Sequence, residues 1–164
     1  MIRIALLVCC ALLAALPVAA QDWPTKPVRF VVPFPPGGSV DPLARLLAAK
    51  LGDVLKQPFI VENRPGAGGS TGPAAVAKAP ADGYTFLVVF DSHGVNQALI
   101  ASLPYDTVKD FAPVMLVGTA PYAIATQAAK PWKSFTEVVA ASKAKPDSVS
   151  IGSIGNGTLG HLLL

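Results

Sequence analysis

An apolar run, Val28 to Val32, breaks at Pro33 and passes through Phe34-Pro35-Pro36-Gly37-Gly38-Ser39-Val40-Asp41-Pro42 into an amphipathic segment. This junction constrains the fold more than any other part of the chain. A buried-type strand, a proline–glycine loop and a helix in direct succession make the first two parts of a parallel βαβ unit. The same loop leaves backbone N–H groups free at a helix N-terminus, where the helix dipole favours an anion. The expected ligand is therefore anionic, held by main chain rather than by a charged side chain.

The pattern repeats along the chain. Leu43, Leu46, Leu47, Leu51, Val54 and Leu55 form one helical stripe, stopped by Pro58, with Asp41 expected as N-cap and Pro42 at the first helical position. Residues 59–62 read as a second strand, 63–69 as a second glycine loop, and Ala74-Ala75-Val76-Ala77 as part of a small-residue helix. Asp82-Gly83 turns into a third strand, 85–90, followed by a third loop, 91–96. Residues 112–118 and 122–126 read as strands crossing into another lobe. Residues 135–144 read as a helix ended by Lys145-Pro146, and 149–153 as a further strand. Gly155-Asn156-Gly157-Thr158 is a fourth loop opening a helix. Loops at the carboxyl ends of parallel strands are where open α/β sheets bind ligands. The sequence reaches Leu164 before that last helix has a second turn or a cap, so a truncated chain is expected.

Residues 1–20 are expected to be a signal peptide cleaved after Ala20. Arg3 supplies the positive start, Ile4 to Leu16 an apolar run too short to span a bilayer, and Pro17-Val18-Ala19-Ala20 the small-residue site. Both cysteines, Cys9 and Cys10, lie in that segment. The remaining chain has no disulfide, no thiolate nucleophile and no cysteine metal ligand, which suits the bacterial periplasm. Without Arg3 it carries 12 basic and 10 acidic residues, unclustered, which excludes a nucleic-acid footprint.

Two motifs imitate catalysts. Gly68-Gly69-Ser70-Thr71-Gly72 has the form of a nucleophile elbow, and His93 or His161 could complete a triad on paper. An elbow sits directly on a strand, whereas here residues 63–67 intervene. Gly155-Asn156-Gly157-Thr158-Leu159-Gly160 has the form of a dinucleotide fingerprint, but the acidic ribose ligand would fall beyond Leu164. An exported serine hydrolase centred on Ser70 is the competing class, and a non-functional fragment the third. No cofactor or metal is expected, since two histidines at this spacing do not make a zinc site. Arg64 has Glu62 as its nearest charged neighbour, and an ion pair is expected there.

Several segments in combination carry a resemblance. Trp23-Pro24-Thr25-Lys26-Pro27-Val28, Val32-Pro33-Phe34-Pro35-Pro36-Gly37-Gly38, Val61-Glu62-Asn63-Arg64-Pro65-Gly66-Ala67-Gly68-Gly69 and Asp82-Gly83-Tyr84-Thr85 are four of them. Leu103-Pro104-Tyr105-Asp106, Lys109-Asp110-Phe111-Ala112-Pro113 and Gly155-Asn156-Gly157-Thr158 with His161 complete the set. Together they resemble Bug-type receptors, the periplasmic substrate-binding proteins of tripartite tricarboxylate transporters.

The resemblance implies an α/β, two-lobed, Venus-flytrap fold of the periplasmic binding protein type (type II-like), here truncated. Residues 21–120 would form part of the first lobe and 121–164 the start of the second. It implies a monomer that binds a small organic carboxylate through N–H groups and bridging waters and meets the membrane components of the transporter. The ligand-binding positions carried over are Phe34, Gly37, Gly38, Ser39, Ala67, Gly68, Ser92 and His93 from the first lobe. Gly155, Asn156, Gly157 and Thr158 would serve from the second. Where family members commonly carry threonine-asparagine-glycine, this chain has Phe90-Asp91-Ser92, and an inward carboxylate at Asp91 would repel an anion.

Overall fold

The computed structural model describes residues 22–153 and 158–162. Three parallel strands, β1 (Val28–Val32), β2 (Phe59–Asn63) and β3 (Thr85–Leu87), lie in the order β2-β1-β3. Helix α1 (Val40–Leu55) connects β1 to β2. A single 3-10 turn (Ala67–Gly69) and α2 (Thr71–Ala77) connect β2 to β3. Helices α3 (Ser92–Leu99), α4 (Phe135–Ala144) and α5 (Leu159–Leu162) follow. None of the helices among the described residues is long and apolar enough to cross a membrane.

β1 is the central strand, and its composition explains why. Val28, Val31 and Val32 are fully buried, and a strand covered on both faces reads as a continuous apolar run. Val28 and Phe30 pack with Ala48, Leu47 and Leu51 of α1, and Val32 packs with Val40 and Ala44. Parallel crossovers are right-handed, so a first crossover to one side of β1 and a second back past it place α1 and α2 on opposite faces. The α1 face is rich in aromatics: Phe30 meets Phe59 at 5.3 Å and Phe86 at 5.8 Å between ring centroids, both edge to face. Trp23 lies against Phe59, Tyr84 and Phe86 and donates its indole N–H to the Gly83 carbonyl.

Several expectations need correcting. The buried face of α1 is Val40–Ala44–Ala48 flanked by Leu47 and Leu51, while Leu46 and Val54 point to solvent. Small alanines let the helix approach the sheet, and the larger leucines beside them spread around its rim. Asp41 is not the N-cap; Ser39 holds that position without a side-chain cap bond, and Asp41 lies inside the first turn. Pro42 is tolerated there because first-turn N–H groups have no intrahelical acceptor. The third strand ends at Leu87 rather than residue 90. The expected loop at 91–96 is the start of α3, with Asp91 at its N-cap position.

Residues 112–118, 122–126 and 149–153 are not strands: within the described residues no neighbour pairs with them. Apolar β-branched composition makes a segment fit a sheet, but a ladder requires a partner. Helix α4 forms where expected, with the Ser134 hydroxyl accepting from the Glu137 N–H and Glu137 Oε2 accepting from the Lys133 N–H.

Candidate anion-binding loops

The carboxyl ends of β1, β2 and β3 lie side by side, and the loops leaving them touch. Phe34 of the first loop packs against Phe90 after β3, the two rings tilted and their centroids 4.9 Å apart. A Cβ on Gly69 of the second loop would lie 3.6 Å from the Phe34 ring. In the order β2-β1-β3 the chain departs from β1 toward β2 and reaches β3 from the opposite side. The crevice at this reversal is the position where open α/β sheets take ligands.

The second loop is bent by four consecutive residues at positive φ, Gly66 (130°), Ala67 (46°), Gly68 (65°) and Gly69 (86°). For Ala67 this is the left-handed region, a strained conformation of the kind that gathers at ligand-binding loops. The turn is closed by Gly69 N–H to Gly66 O and Ser70 N–H to Ala67 O. The N–H groups of Ala67 and Gly68 are left without an acceptor among the described residues, as is that of Ser39 in the first loop.

Of the expected positions, Phe34 touches the loop after β3 and lies beside Gly69, the neighbour of Ala67 and Gly68, while Gly37, Gly38 and Ser39 follow Phe34 in the first loop. Their donors are not equivalent: the Gly37 N–H is taken internally by Asp41 Oδ2 at 3.0 Å. Ser92 and His93 stand in the first turn of α3. Ser92 is buried, and the half-buried His93 ring is turned into a satellite cluster, stacked on Tyr105 at 5.7 Å and edge-on to Phe111 at 4.9 Å. Burial there lowers the His93 pKa and keeps the imidazole neutral. Asp91 accepts a hydrogen bond from the Tyr122 hydroxyl at 3.0 Å. Thr158 precedes α5, where its carbonyl accepts from the His161 and Leu162 N–H groups. Gly155, Asn156 and Gly157 lie outside the described residues.

A polar hub sits beneath the first loop that sequence reasoning missed. Asp41, buried, accepts from Gly37 N–H, from Arg45 Nε at 3.0 Å and from Asn63 Nδ2 at 2.9 Å. Asn63 Nδ2 also donates to the Phe34 carbonyl, and Asn63 Oδ1 accepts from Arg45 Nη2, each at 3.0 Å. The i, i+4 spacing of Asp41 and Arg45 on one helix was the available signal. Arg45 first, then the Gly37 N–H and Asn63, hold the Asp41 carboxyl at about 2. Asp106, bonded chiefly by the Lys109 N–H and also by the Lys109 side chain, is likewise held at about 2.

A depressed carboxylate pKa favours the fold only while the group is ionised. This contribution is complete above the unfolded value of about 3.9 and disappears as pH falls toward the folded value. Urea melts are therefore expected to show a midpoint that falls between pH 4 and pH 2. Asp106→Asn should flatten part of that slope; an unchanged slope in that variant would remove Asp106 from the account.

The Ser70 hydroxyl is buried and donates to the Ala67 carbonyl at 2.8 Å, and β2 has already ended at Asn63. Ser70 closes a turn. The Arg64–Glu62 ion pair forms as expected, at 2.6 Å.

The open parallel sheet with loops meeting at its strand ends is the α/β fold of periplasmic binding proteins. The sequence matches the family described as Tripartite tricarboxylate transporter family receptor (TctC) over residues 43–164. The chain belongs to that family, and the solved structures it matches include the periplasmic binding protein BugD, at 37% identity and a TM-score of 0.53, covering 56% of this chain and 30% of that one.

It is 42% identical to Protein BugT of Bordetella pertussis (strain Tohama I) over 151 residues, which is 91% of this chain and 46% of BugT. The structure of R. palustris Rpa4515 with adipate matches with a TM-score of 0.78 and 36% identity, covering 85% of this chain and 47% of that one. MatC (Rpa3494) from Rhodopseudomonas palustris with bound malate matches with a TM-score of 0.53 and 43% identity, covering 56% of this chain and 32% of that one. The chain spans about half the length of the relatives it matches.

Proposed function

We propose that this chain captures a small organic carboxylate in the periplasm for a tripartite tricarboxylate transporter, as the N-terminal portion of a two-lobed receptor. The observation that carries this reading is that the loops leaving the strand ends touch through Phe34, Gly69 and Phe90, and that the Ser39, Ala67 and Gly68 N–H groups of two of them have no acceptor among the described residues. An N–H group without an acceptor carries a partial positive charge that suits an anion, and the Arg45 cation beneath the first loop is paired with Asp41. In this reading residues 21–120 belong to the first lobe, 121–164 begin the second, and residues 1–20 direct export. Adipate and malate bound to Rpa4515 and MatC support a dicarboxylate; tricarboxylates, amino acids and aromatic acids remain in the same chemical class. Main-chain donors read a carboxylate group and little else, so discrimination among acids falls to the facing lobe.

The test is a thermal-shift and calorimetric screen of adipate, malate, citrate, glutamate and benzoate. At least one acid should raise the melting temperature, by about 2.7 kcal/mol of stabilisation at a hundredfold excess over its Kd. No shift with any acid would overturn the reading in favour of a chain without receptor function. Because the donors do not titrate, affinity should follow the ionisation of the acid alone.

A further inference from the structure

We propose that Asp41 is the positioning residue of the anion site: its buried carboxylate fixes the 34–38 loop and withdraws the Gly37 N–H from ligand recognition. The inference rests on the receptor reading for the word site, and on geometry alone for the loop. Within the loop the one backbone hydrogen bond is Gly38 N–H to Pro35 O at 3.4 Å, the outer limit of a useful contact. Pro35 and Pro36 have no N–H to contribute. The loop's shape is therefore imposed from outside, through the Asp41 N–H on the Gly38 carbonyl at 3.2 Å and two side-chain anchors, Asn63 Nδ2 on the Phe34 carbonyl and Asp41 Oδ2 on the Gly37 N–H. The anchors are themselves joined, since Asn63 Nδ2 reaches Asp41 Oδ1 and Arg45 Nη2 reaches both side chains. Parallel pairing of Val32 with Asn63 brings the strand-end asparagine beside the loop.

Every partner of Asp41 is a donor. An amide at position 41 would turn an NH2 group against one of them and strip Arg45 of its counter-charge, at nearly unchanged volume. Asp41→Asn thus separates a hydrogen-bonding and charge role from mere packing, which the variant preserves. The consequence for recognition is specific. A ligand carboxylate meets Ser39, Ala67 and Gly68, and the donor nearest the proline turn is already occupied by the protein's own anion.

Amide NMR spectra of the 15N-labelled chain, titrated with adipate, test this. In the wild type, adipate should shift the Ser39, Ala67 and Gly68 amides and leave the Gly37 amide at the low field of a carboxylate-bonded proton. In Asp41→Asn the Gly37 amide should move upfield, and adipate should bind about tenfold or more weakly. A Gly37 amide that moves with adipate as far as Ser39 would overturn the proposal, as would one that does not move in Asp41→Asn. If Asp41→Asn does not fold, Asn63→Ala removes the Phe34 anchor and one Asp41 partner, and a smaller Gly37 shift is expected. If adipate moves no amide in the wild type, the receptor reading fails by itself, and the Gly37 comparison still decides whether Asp41 holds the loop.

Discussion

Phe30→Ala should lower stability by about 3–5 kcal/mol, the range for truncating a buried aromatic. Phe30 is 5% exposed, faces α1, and is the ring that both Phe59 and Phe86 meet edge-on. It stands midway along the central strand, paired with Val61 on one side and Phe86 on the other. Removing it opens a cavity under all three strands at once, and neither neighbouring strand can slide inward without breaking its register. Domains of this size are stable by only about 5–15 kcal/mol, so the loss is a large share of the total. Chemical denaturation should show the midpoint falling with little change in slope. A loss under 1 kcal/mol would mean that the aromatic layer repacks, and that β1 is not the keystone of the sheet.

Gly72→Ala is the second large effect, and it acts on stability and site together. A Cβ at this position would lie 2.8 Å from Pro33 Cβ, 3.1 Å from Pro33 Cα and 3.3 Å from the Arg64 carbonyl. These are a rigid ring and backbone atoms, which cannot rotate aside. Overpacking of this kind costs about 1–3 kcal/mol. Pro33 starts the first loop and Arg64 the second, so relief of the clash must separate the two loops that carry Ser39 and Ala67. Carboxylate affinity should therefore fall more than stability alone would account for. Gly94→Ala is the matched control: its Cβ meets nothing within 4 Å and it lies inside α3, where alanine is preferred over glycine. Equal losses in both variants would refute the close-approach argument.

The parts of the fold readable from sequence were those whose determinants are local. β1, α1 and α4 announce themselves through an apolar run, a periodic stripe with a proline stop, and a helical run ended by Lys145-Pro146. The run at 112–126 failed as a strand prediction because hydrogen-bond partners are a property of the neighbours, which local composition does not contain. The first two strand-end loops were legible as glycine-rich junctions, and the lost elbow at Ser70 was legible from its distance to the strand. What was not legible was how the donors are shared. That Gly37 serves Asp41 depends on Asn63 arriving from a different strand, and only the β1–β2 register brings it there. His93, one candidate among the loop residues, lies against Tyr105 and Phe111 because α3 begins earlier than a loop reading allows.

The segment from residue 112 to 126 has a bearing on how the chain behaves in a test tube. Val114, Met115, Leu116 and Ile124 are each more than 60% exposed, on a backbone with no ladder partner among the described residues. Such a stretch is a template for pairing with any other extended chain, including a second copy of itself. Its colloidal behaviour is then separable from its folding free energy. A preparation can be fully native in its sheet and still self-associate with rising concentration. Association through this stretch would then be set by concentration, and light scattering along a dilution series would read it.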